Sequence, residues 1–251
     1  MNDLIGLFDS GVGGISVLHE VRRLLPNENL LFFGDNANAP YGPRPLEEIR
    51  SLSAAGIGRL LARGVKAIVI ACNTATSAYA EIVRAQHPEL PIVGMEPALK
   101  PAHFARHGGK VIVLATDATL RLSKFENLMA RYGDDAICVV GRGLVELVEG
   151  GLSRSPRAEA RVRELLEPYA DMQIDAVVLG CTHFPFLREP IQRMFPQAQL
   201  FDGREGTALR LKSLLEQNGL RSDDAPGSVE YQSSGGEEAV ALMRRLMAEL
   251  D

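Results

Sequence analysis

The sequence predicts an α/β fold with two related lobes, and three observations support this prediction. Short runs of Ile, Val, Leu and Phe alternate with longer amphipathic segments along the 251 residues. Most of these runs are apolar throughout, which is typical of strands buried on both faces of a parallel sheet. Segment 66–74 is echoed by segment 175–183, since each contains a charged residue, a buried strand, a small residue and a cysteine. We therefore expect two pseudo-symmetric lobes, each a mostly parallel sheet flanked by helices, with a site in the cleft between them.

The apolar runs predict strands, and the amphipathic segments between them predict helices. Strands are expected at residues 4–8, 30–33, 67–71, 91–93, 110–114, 136–140, 176–179, 200–201 and 229–232. Helices are expected at residues 16–25, 46–63, 77–86, 120–132, 157–169, 190–195, 207–215 and 237–250, and a loop holding the last short strand at 218–236. Segment 95–101, with two prolines, is interpreted as the crossover between lobes, and 202–206 as the return. This predicts a first lobe of residues 1–97 plus 208–251 and a second of 98–207.

Composition and charge exclude several classes of protein. The net charge of −5 is spread along the chain, and no Lys/Arg-rich stripe indicates a nucleic-acid partner. No apolar run approaches the roughly 20 residues of a membrane-spanning helix, and the first residues do not resemble a signal peptide. The three cysteines form no CxxC pair, so we expect reduced thiols and a cytoplasmic location rather than a disulfide framework.

The turn after the first strand, residues 9–14, contains three glycines and precedes a helical pattern. Glycines let backbone N–H groups approach a ligand closely, and a helix N-terminus favours an anion. Asp9 and Ser10 add hydrogen-bonding groups there. A dinucleotide site is the competing interpretation because Asp35 ends the second strand, but Ser16 replaces the third glycine of that fingerprint. A tight turn without a ligand also remains open.

The loop after the second strand lies on the same, carboxyl side of the predicted sheet. Its prolines and glycines, in segments 34–37 and 40–43, suit ordinary turns equally well. If the loop covers a site, Tyr41 forms its rim and Gly42 offers a backbone donor.

The cysteines are the sharpest chemical signal. Cys138 lies inside an apolar run and is interpreted as a small core residue. Cys72 and Cys181 differ because hydrogen-bonding residues follow them, in the sequences Cys-Asn-Thr and Cys-Thr-His. A thiol at the end of a strand and the start of a helix can have its pKa lowered, which makes it a usable base.

Two such thiols suggest three chemistries. A zinc site needs more ligands than His183, the one histidine near a cysteine, supplies. A single nucleophile with a histidine base leaves the second cysteine without a role. Two-base proton transfer uses both, because one thiolate removes a Cα proton while the opposite thiol delivers one to the other face. His19, His87, His103 and His107 lie in polar or helical contexts and are interpreted as surface residues.

Five segments together resemble the bacterial glutamate racemases, in order and spacing, along most of the chain. They are FDSGVGG at 8–14, PYG at 40–42, ACNTAT at 71–76, GMEPALKPA at 94–102 and GCTHFP at 180–185. The resemblance implies interconversion of L- and D-glutamate for peptidoglycan, with no pyridoxal or other cofactor, no metal and commonly a homodimer. It implies that Cys72 takes the proton from D-glutamate and Cys181 from L-glutamate. The implied auxiliary acids are Asp9, Asp35, Glu149 and His183; the implied substrate-binding residues are Asp9, Ser10, Tyr41, Gly42, Asn73, Thr74, Thr116, Thr182 and His183.

The chain departs from the family pattern at two helper positions. Asn36 stands where the family usually has Thr, and the segment leading to Glu149 lacks the usual proline. The alternatives are an aspartate or hydantoin racemase using the same thiols, a dinucleotide-binding oxidoreductase, and a non-catalytic binding protein descended from the family.

Overall fold

Two parallel sheets flanked by helices make up the computed structural model, which describes residues 3–222 and 226–250. The first sheet has the order β4-β3-β1-β2-β9 and the second the order β6-β5-β7-β8. The strands are β1 (Leu4–Asp9), β2 (Asn29–Gly34), β3 (Ala67–Ile70), β4 (Ile92–Gly94), β5 (Lys110–Ala115), β6 (Ala136–Val140), β7 (Ile174–Gly180), β8 (Gln199–Asp202) and β9 (Val229–Ser233). All strand pairs are parallel. The predicted α/β class is therefore confirmed.

Helices connect these strands in the alternating order that parallel pairing requires. They are α1 (Ile15–Leu24), α2 (Leu46–Ala62), α3 (Asn73–Gln86), α4 (Leu99–Phe104), α5 (Asp117–Arg121), α6 (Ser123–Tyr132), α7 (Leu144–Glu149), α8 (Pro156–Leu166), α9 (Arg188–Met194), α10 (Arg204–Gln217) and α11 (Gly236–Ala248). Short 3-10 helices lie at Asn36–Asn38, Glu167–Tyr169 and Phe184–Leu187. Within the described ranges, no helix has the length and hydropathy needed to cross a bilayer.

The C-terminal part of the chain returns to the first sheet. β9 pairs with β2 and forms one edge of the first sheet, while α10 and α11 both contact α1. One apolar cluster runs from this layer to the second sheet and includes Val12, Leu211, Val145 and Phe184. The lobe limits 1–97 plus 208–251 and 98–207 remain a prediction. Their ends at 1–2 and 251, and positions 223–225 of the predicted loop, lie outside the described residues.

Helix α3 begins at Asn73, four residues before the start that the sequence predicts. Cys72 is its N-cap, and the thiol accepts a hydrogen bond from the backbone N–H of Ala75. The polar residues Asn73 and Thr74 break the apolar pattern, yet they form the first helical turn and are buried. Polar side chains in this turn face the site rather than the core, so the hydrophobic periodicity begins only after them.

Other boundaries differ where proline or tertiary contacts decide the backbone. The expected crossover contains the start of helix α4. Pro101 does not prevent this helix, because it lies in the first turn, where a missing N–H is tolerated. The expected helix 157–169 ends as an α-helix at Leu166, before Pro168, which cannot donate the next hydrogen bond. The expected helix 120–132 is divided in two by Leu122, which is extended.

Cys138 is exposed, so its interpretation as a core residue was wrong. It lies in β6, an edge strand of the second sheet, and only Val139 of that strand is buried. An apolar run indicates a strand, but it does not show whether both faces of that strand are covered.

Candidate active site

The two site thiols line one small cavity at the carboxyl ends of both sheets. Cys72 follows β3 and Cys181 follows β7, as the echoed segments predict. The cavity measures about 10 Å³, close to the smallest space that holds one water molecule. Its lining residues are Ser10, Pro40, Tyr41, Gly42, Cys72, Asn73, Thr74, Thr116, Thr119, Val145, Gly180, Cys181, Thr182 and His183.

Cys72 is a buried thiol with hydrogen-bonding neighbours from two elements. Its Sγ lies 3.4 Å from Ser10 Oγ and accepts the N–H of Ala75 at 3.4 Å. Burial, together with the negative charge of Asp9, raises the pKa of Cys72 to about 12. The expectation that the helix N-terminus lowers this pKa is therefore wrong for the closed cavity, because desolvation outweighs the helix and hydroxyl contacts.

Cys181 begins a chain of buried polar contacts through His183 to Glu149. Its Sγ lies 3.5 Å from His183 Nδ1, and His183 Nε2 lies 2.6 Å from Glu149 Oε1. Burial disfavours the charged imidazole, but the neighbouring Cys181 and Glu149 outweigh it and raise the pKa of His183 well above its ordinary value. In Glu149, burial is outweighed by the contacts with His183, Val12 and Asn36, and the pKa is lowered. The pair is an imidazolium and a carboxylate.

Glu149 ends α7 and reaches from the second sheet's helices to the turns of the first sheet. Its Oε1 accepts the backbone N–H of Val12 at 2.7 Å, and its Oε2 accepts Asn36 Nδ2 at 2.8 Å. α7 is absent from the sequence prediction. It begins after Gly143, whose φ of +80° is a left-handed conformation that favours glycine.

The glycine turn holds the chain's own carboxylates, which differs from the expectation of a ligand anion there. Asp9 Oδ2 accepts the N–H groups of Gly11 at 3.2 Å and Gly14 at 3.0 Å. A Cβ at Gly11 would lie 1.9 Å from Glu149 Oε1, and one at Gly13 would lie 2.4 Å from His183 Nδ1. The glycines therefore allow side chains of the second lobe to approach the turn. The same side chains occupy the place where the pyrophosphate of a dinucleotide would bind.

Asp9 is buried beneath the cavity and contacts both lobes. Its Oδ1 accepts Thr182 Oγ1 at 3.2 Å. Burial raises the pKa of Asp9 to about 6, against the opposing charge of His183. Ser16 adds another contact between the lobes, since its hydroxyl lies 2.9 Å from the carbonyl oxygen of Thr182.

One wall of the cavity offers hydroxyls and a free amide. Thr74, Thr116 and Thr119 place their Oγ1 atoms 2.8 to 3.2 Å from one another. Both polar atoms of the buried Asn73 amide lack a hydrogen-bond partner within the described part of the chain. An unpaired buried amide costs free energy, so this side chain is available to a ligand.

Asp35 lies behind the cavity and contacts Tyr41, which lines it. Its carboxylate accepts Tyr41 Oη at 2.7 Å, Ser234 Oγ at 2.7 Å and the amide of Asn38. Burial and this hydrogen bond raise the pKa of Tyr41, so the phenol stays protonated. Gly42 lies beside Thr116, where a Cβ would come within 3.2 Å.

The structure brings together the residues that the sequence selects, in two layers. Those lining the cavity are Ser10, Tyr41, Gly42, Cys72, Asn73, Thr74, Thr116, Cys181, Thr182 and His183. Asp9, Asp35 and Glu149 lie behind them. The cavity also includes Pro40, Thr119, Val145 and Gly180, which the sequence analysis did not select. Thr119 could have been found, because it follows the N-cap Thr116 by three residues, at the usual spacing of a first helical turn. None of the other four histidines lines the cavity, and no group of three metal-binding side chains occurs in residues 3–222 and 226–250.

Comparisons with known proteins agree with this geometry. Residues 10–209 match the family model described as Asp/Glu/Hydantoin racemase. A curated glutamate racemase from Clostridium perfringens (strain ATCC 13124) is 43% identical over 253 residues, covering 99% of this chain and 97% of that protein. The crystal structure of a glutamate racemase from Thermus thermophilus with beta-chloro-D-alanine matches with a TM-score of 0.81 and 40% identity, covering 96% and 92% of the two chains. The Escherichia coli glutamate racemase, solved with L-glutamate and the activator UDP-MurNAc-ala, matches with a TM-score of 0.86 and 30% identity, covering 99% and 95%. The chain therefore belongs to the Asp/Glu/Hydantoin racemase family and is an isomerase.

Proposed function

We propose that the protein interconverts L- and D-glutamate by two-base proton transfer between Cys72 and Cys181. The observation that carries this proposal is that two buried thiols, from echoed strand ends of two sheets, line one cavity. A glutamate substrate is supported by the relatives, because they are glutamate racemases and this chain matches them over nearly their full length.

The reaction moves one proton to the substrate and one from it in each turnover. A thiolate removes the Cα proton from one face, the electron pair stays on Cα, and the opposite thiol delivers its proton to the other face. The two sulfurs thereby exchange protonation states, and the reverse direction begins from the product form. The Cα–H is a weak acid, so charge that develops beside it must be stabilised by fixed dipoles and hydrogen bonds in a closed, water-poor site.

The electrostatics of the closed site favour one starting state. The pKa of about 12 keeps Cys72 protonated. Across the cavity, His183 Nδ1 lies 3.5 Å from Cys181 Sγ, within reach of a hydrogen bond to this sulfur. In this proposal Cys181, beside His183, removes the proton from L-glutamate and Cys72 delivers one to the opposite face; Asp9 and Glu149 act through His183 and Thr182.

The polar lining provides the binding groups. We assign the substrate carboxylates and ammonium to Asn73, Ser10, Thr182 and the hydroxyls around Thr74. Tyr41, Gly42 and Thr116 complete that wall, and Asp35 holds Tyr41. A cavity of about 10 Å³ does not hold glutamate, so the lobes must separate for binding and product release.

Solvent deuterium tests the mechanism directly. The protein is incubated with L-glutamate in D₂O without added cofactor, and circular dichroism and Cα deuteration are followed. We expect loss of optical activity with deuterium in the D-product. Cys72→Ala and Cys181→Ala serve as controls and should abolish racemisation. An inert, folded wild-type protein with both thiols reduced would overturn the proposal.

Three finer statements belong to the same proposal. Parallel assays with L-aspartate and hydantoins separate glutamate racemisation from the sibling activities, and we expect turnover of glutamate alone. Supply of D-glutamate for peptidoglycan, in a reducing cytoplasm that keeps both thiols free, is tested by rescue of a D-glutamate auxotroph. A homodimer is expected, and light scattering measures the mass in solution.

A further inference from the structure

Asn36 lies between Glu149 and the C-terminal strand β9, and the proposed mechanism gives it no role. It begins the 3-10 helix after β2 and is half-buried. Its side chain contacts two elements that are far away in sequence. Asn36 Nδ2 lies 2.8 Å from Glu149 Oε2, and Asn36 Oδ1 lies 2.7 Å from Ser233 Oγ at the end of β9.

The chemistry of these partners determines the orientation of the amide. An ionised carboxylate accepts hydrogen bonds and donates none, so the NH₂ group of Asn36 must face Glu149. The carbonyl oxygen then faces Ser233, whose hydroxyl donates to it. Each polar atom of the amide is therefore matched to one partner, and neither orientation nor partner can be exchanged without loss of a hydrogen bond.

Glu149 is held from both of its oxygens. Oε1 is shared by Val12 N–H and His183 Nε2, whereas Oε2 receives Asn36. Because both oxygens are bound, rotation of the carboxylate away from His183 would break the hydrogen bond with Asn36 as well as the one with Val12. On the outer side of this contact, Asn36 and Glu149 both line an open groove of about 470 Å³.

We propose that Asn36 is a positioning residue, which holds Glu149 against His183 and so keeps the imidazole in place beside Cys181. The inference rests on the proposed racemase function. It assigns to the C-terminal strand β9 a part in catalysis, since Ser233 orients Asn36, Asn36 orients Glu149, and Glu149 orients His183.

Asn36→Leu tests the proposal, because it keeps the side chain's size and removes its donor. We expect kcat/KM for glutamate to fall about tenfold, the usual effect of losing a hydrogen bond to a charged group. The fall must be equal in both directions, since the enantiomers have equal free energies. Asn218→Leu is the matched control. Its amide donates to the Leu214 carbonyl at the exposed end of α10, and its kcat/KM should equal that of wild type.

A second readout separates positioning from general damage to the fold. In protein with ¹⁵N-labelled histidine, the ring of His183 is titrated by NMR in wild type and Asn36→Leu. The groups that face this ring are Cys181, Glu149 and, through Thr182, Asp9. We expect the His183 midpoint to fall by about one pH unit when Glu149 is released.

The outcomes distinguish this inference from the proposed function. If the wild-type protein is inert, the racemase proposal is wrong. The His183 titration then still shows whether Asn36 affects His183, because it does not depend on activity. If wild type is active, an unchanged kcat/KM in Asn36→Leu overturns the inference. So does a fall in kcat/KM with an unchanged His183 midpoint, because Asn36 would then act by another route. A further double variant should support the inference: in a Glu149→Gln background, Asn36→Leu should change kcat/KM less than twofold.

Discussion

Replacing Gly11 by alanine tests how closely the two lobes approach at the glycine turn. The new Cβ would lie 1.9 Å from Glu149 Oε1, whereas ordinary contacts begin near 3.4 Å. The carboxylate must therefore retreat by about 1.5 Å, the difference between these distances. Oε1 is bound at 2.7 Å by Val12 N–H and at 2.6 Å by His183. A retreat of this size breaks at least one of the two bonds.

The loss follows from what those bonds contribute. A hydrogen bond to a charged group is worth roughly 1.5–3 kcal/mol, so kcat/KM should fall about 10- to 150-fold. The assay follows racemisation of L-glutamate by circular dichroism, with thermal melting to show that the variant folds. Gly58→Ala is the control, because nothing lies within 4 Å of a Cβ at this glycine in helix α2. It should keep wild-type activity and gain slightly in stability. Wild-type kcat/KM in a folded Gly11→Ala protein would refute the reasoning.

Three other predictions concern charge and hydrogen bonding. The pKa of Asp9 is raised from 3.8 to about 6, so the folded state binds more protons than the unfolded state between these values. Its contribution to the free energy of unfolding therefore falls by about 3 kcal/mol as pH rises through that window. Urea unfolding at pH 4 and pH 7 should show this fall in wild type but not in Asp9→Asn. Equal pH dependence in both proteins would contradict it. Lys66 is buried and lies 2.7 Å from the buried Glu28. Lys66→Met leaves that carboxylate without its partner, so it should lower the free energy of unfolding by about 3–5 kcal/mol and leave kcat of the folded enzyme unchanged. A melting curve equal to that of wild type would contradict this. Thr74→Val removes the hydroxyl shared with Thr116 and Thr119 and should raise KM for glutamate about tenfold; unchanged KM would exclude this wall as a substrate contact.

The principal elements of the fold could be predicted because their signals are local. β1, β3 and β7 are short apolar runs, and burial on both faces of a parallel sheet leaves such runs in the sequence. The echo between segments 66–74 and 175–183 similarly placed both cysteines at strand ends. Helix α7 was missed because its six residues make too few turns to establish a hydrophobic period. The left-handed Gly143 before it is also not a usual start signal for a helix.

The behaviour of the site residues required the tertiary structure. The pKa of Cys72 depends on how completely water is excluded, and a helix N-terminus in the sequence indicates the opposite direction. Cys138 is exposed in the edge strand β6, although its neighbours in the sequence are apolar.

The sequence by itself placed Cys72 and Cys181 after two strands, and its resemblance to the glutamate racemases indicated most of the residues that line the site around them. Only the tertiary structure decided what they do to one another. Glu149 binds Val12, Asn36 and His183, and the first two are more than 100 residues away in the chain. Contacts of this kind leave no periodicity or spacing, because they depend on how two lobes pack rather than on the path of either strand. The thiols were visible as a pair from the sequence; their charges depend on which groups the closed lobes bring against them.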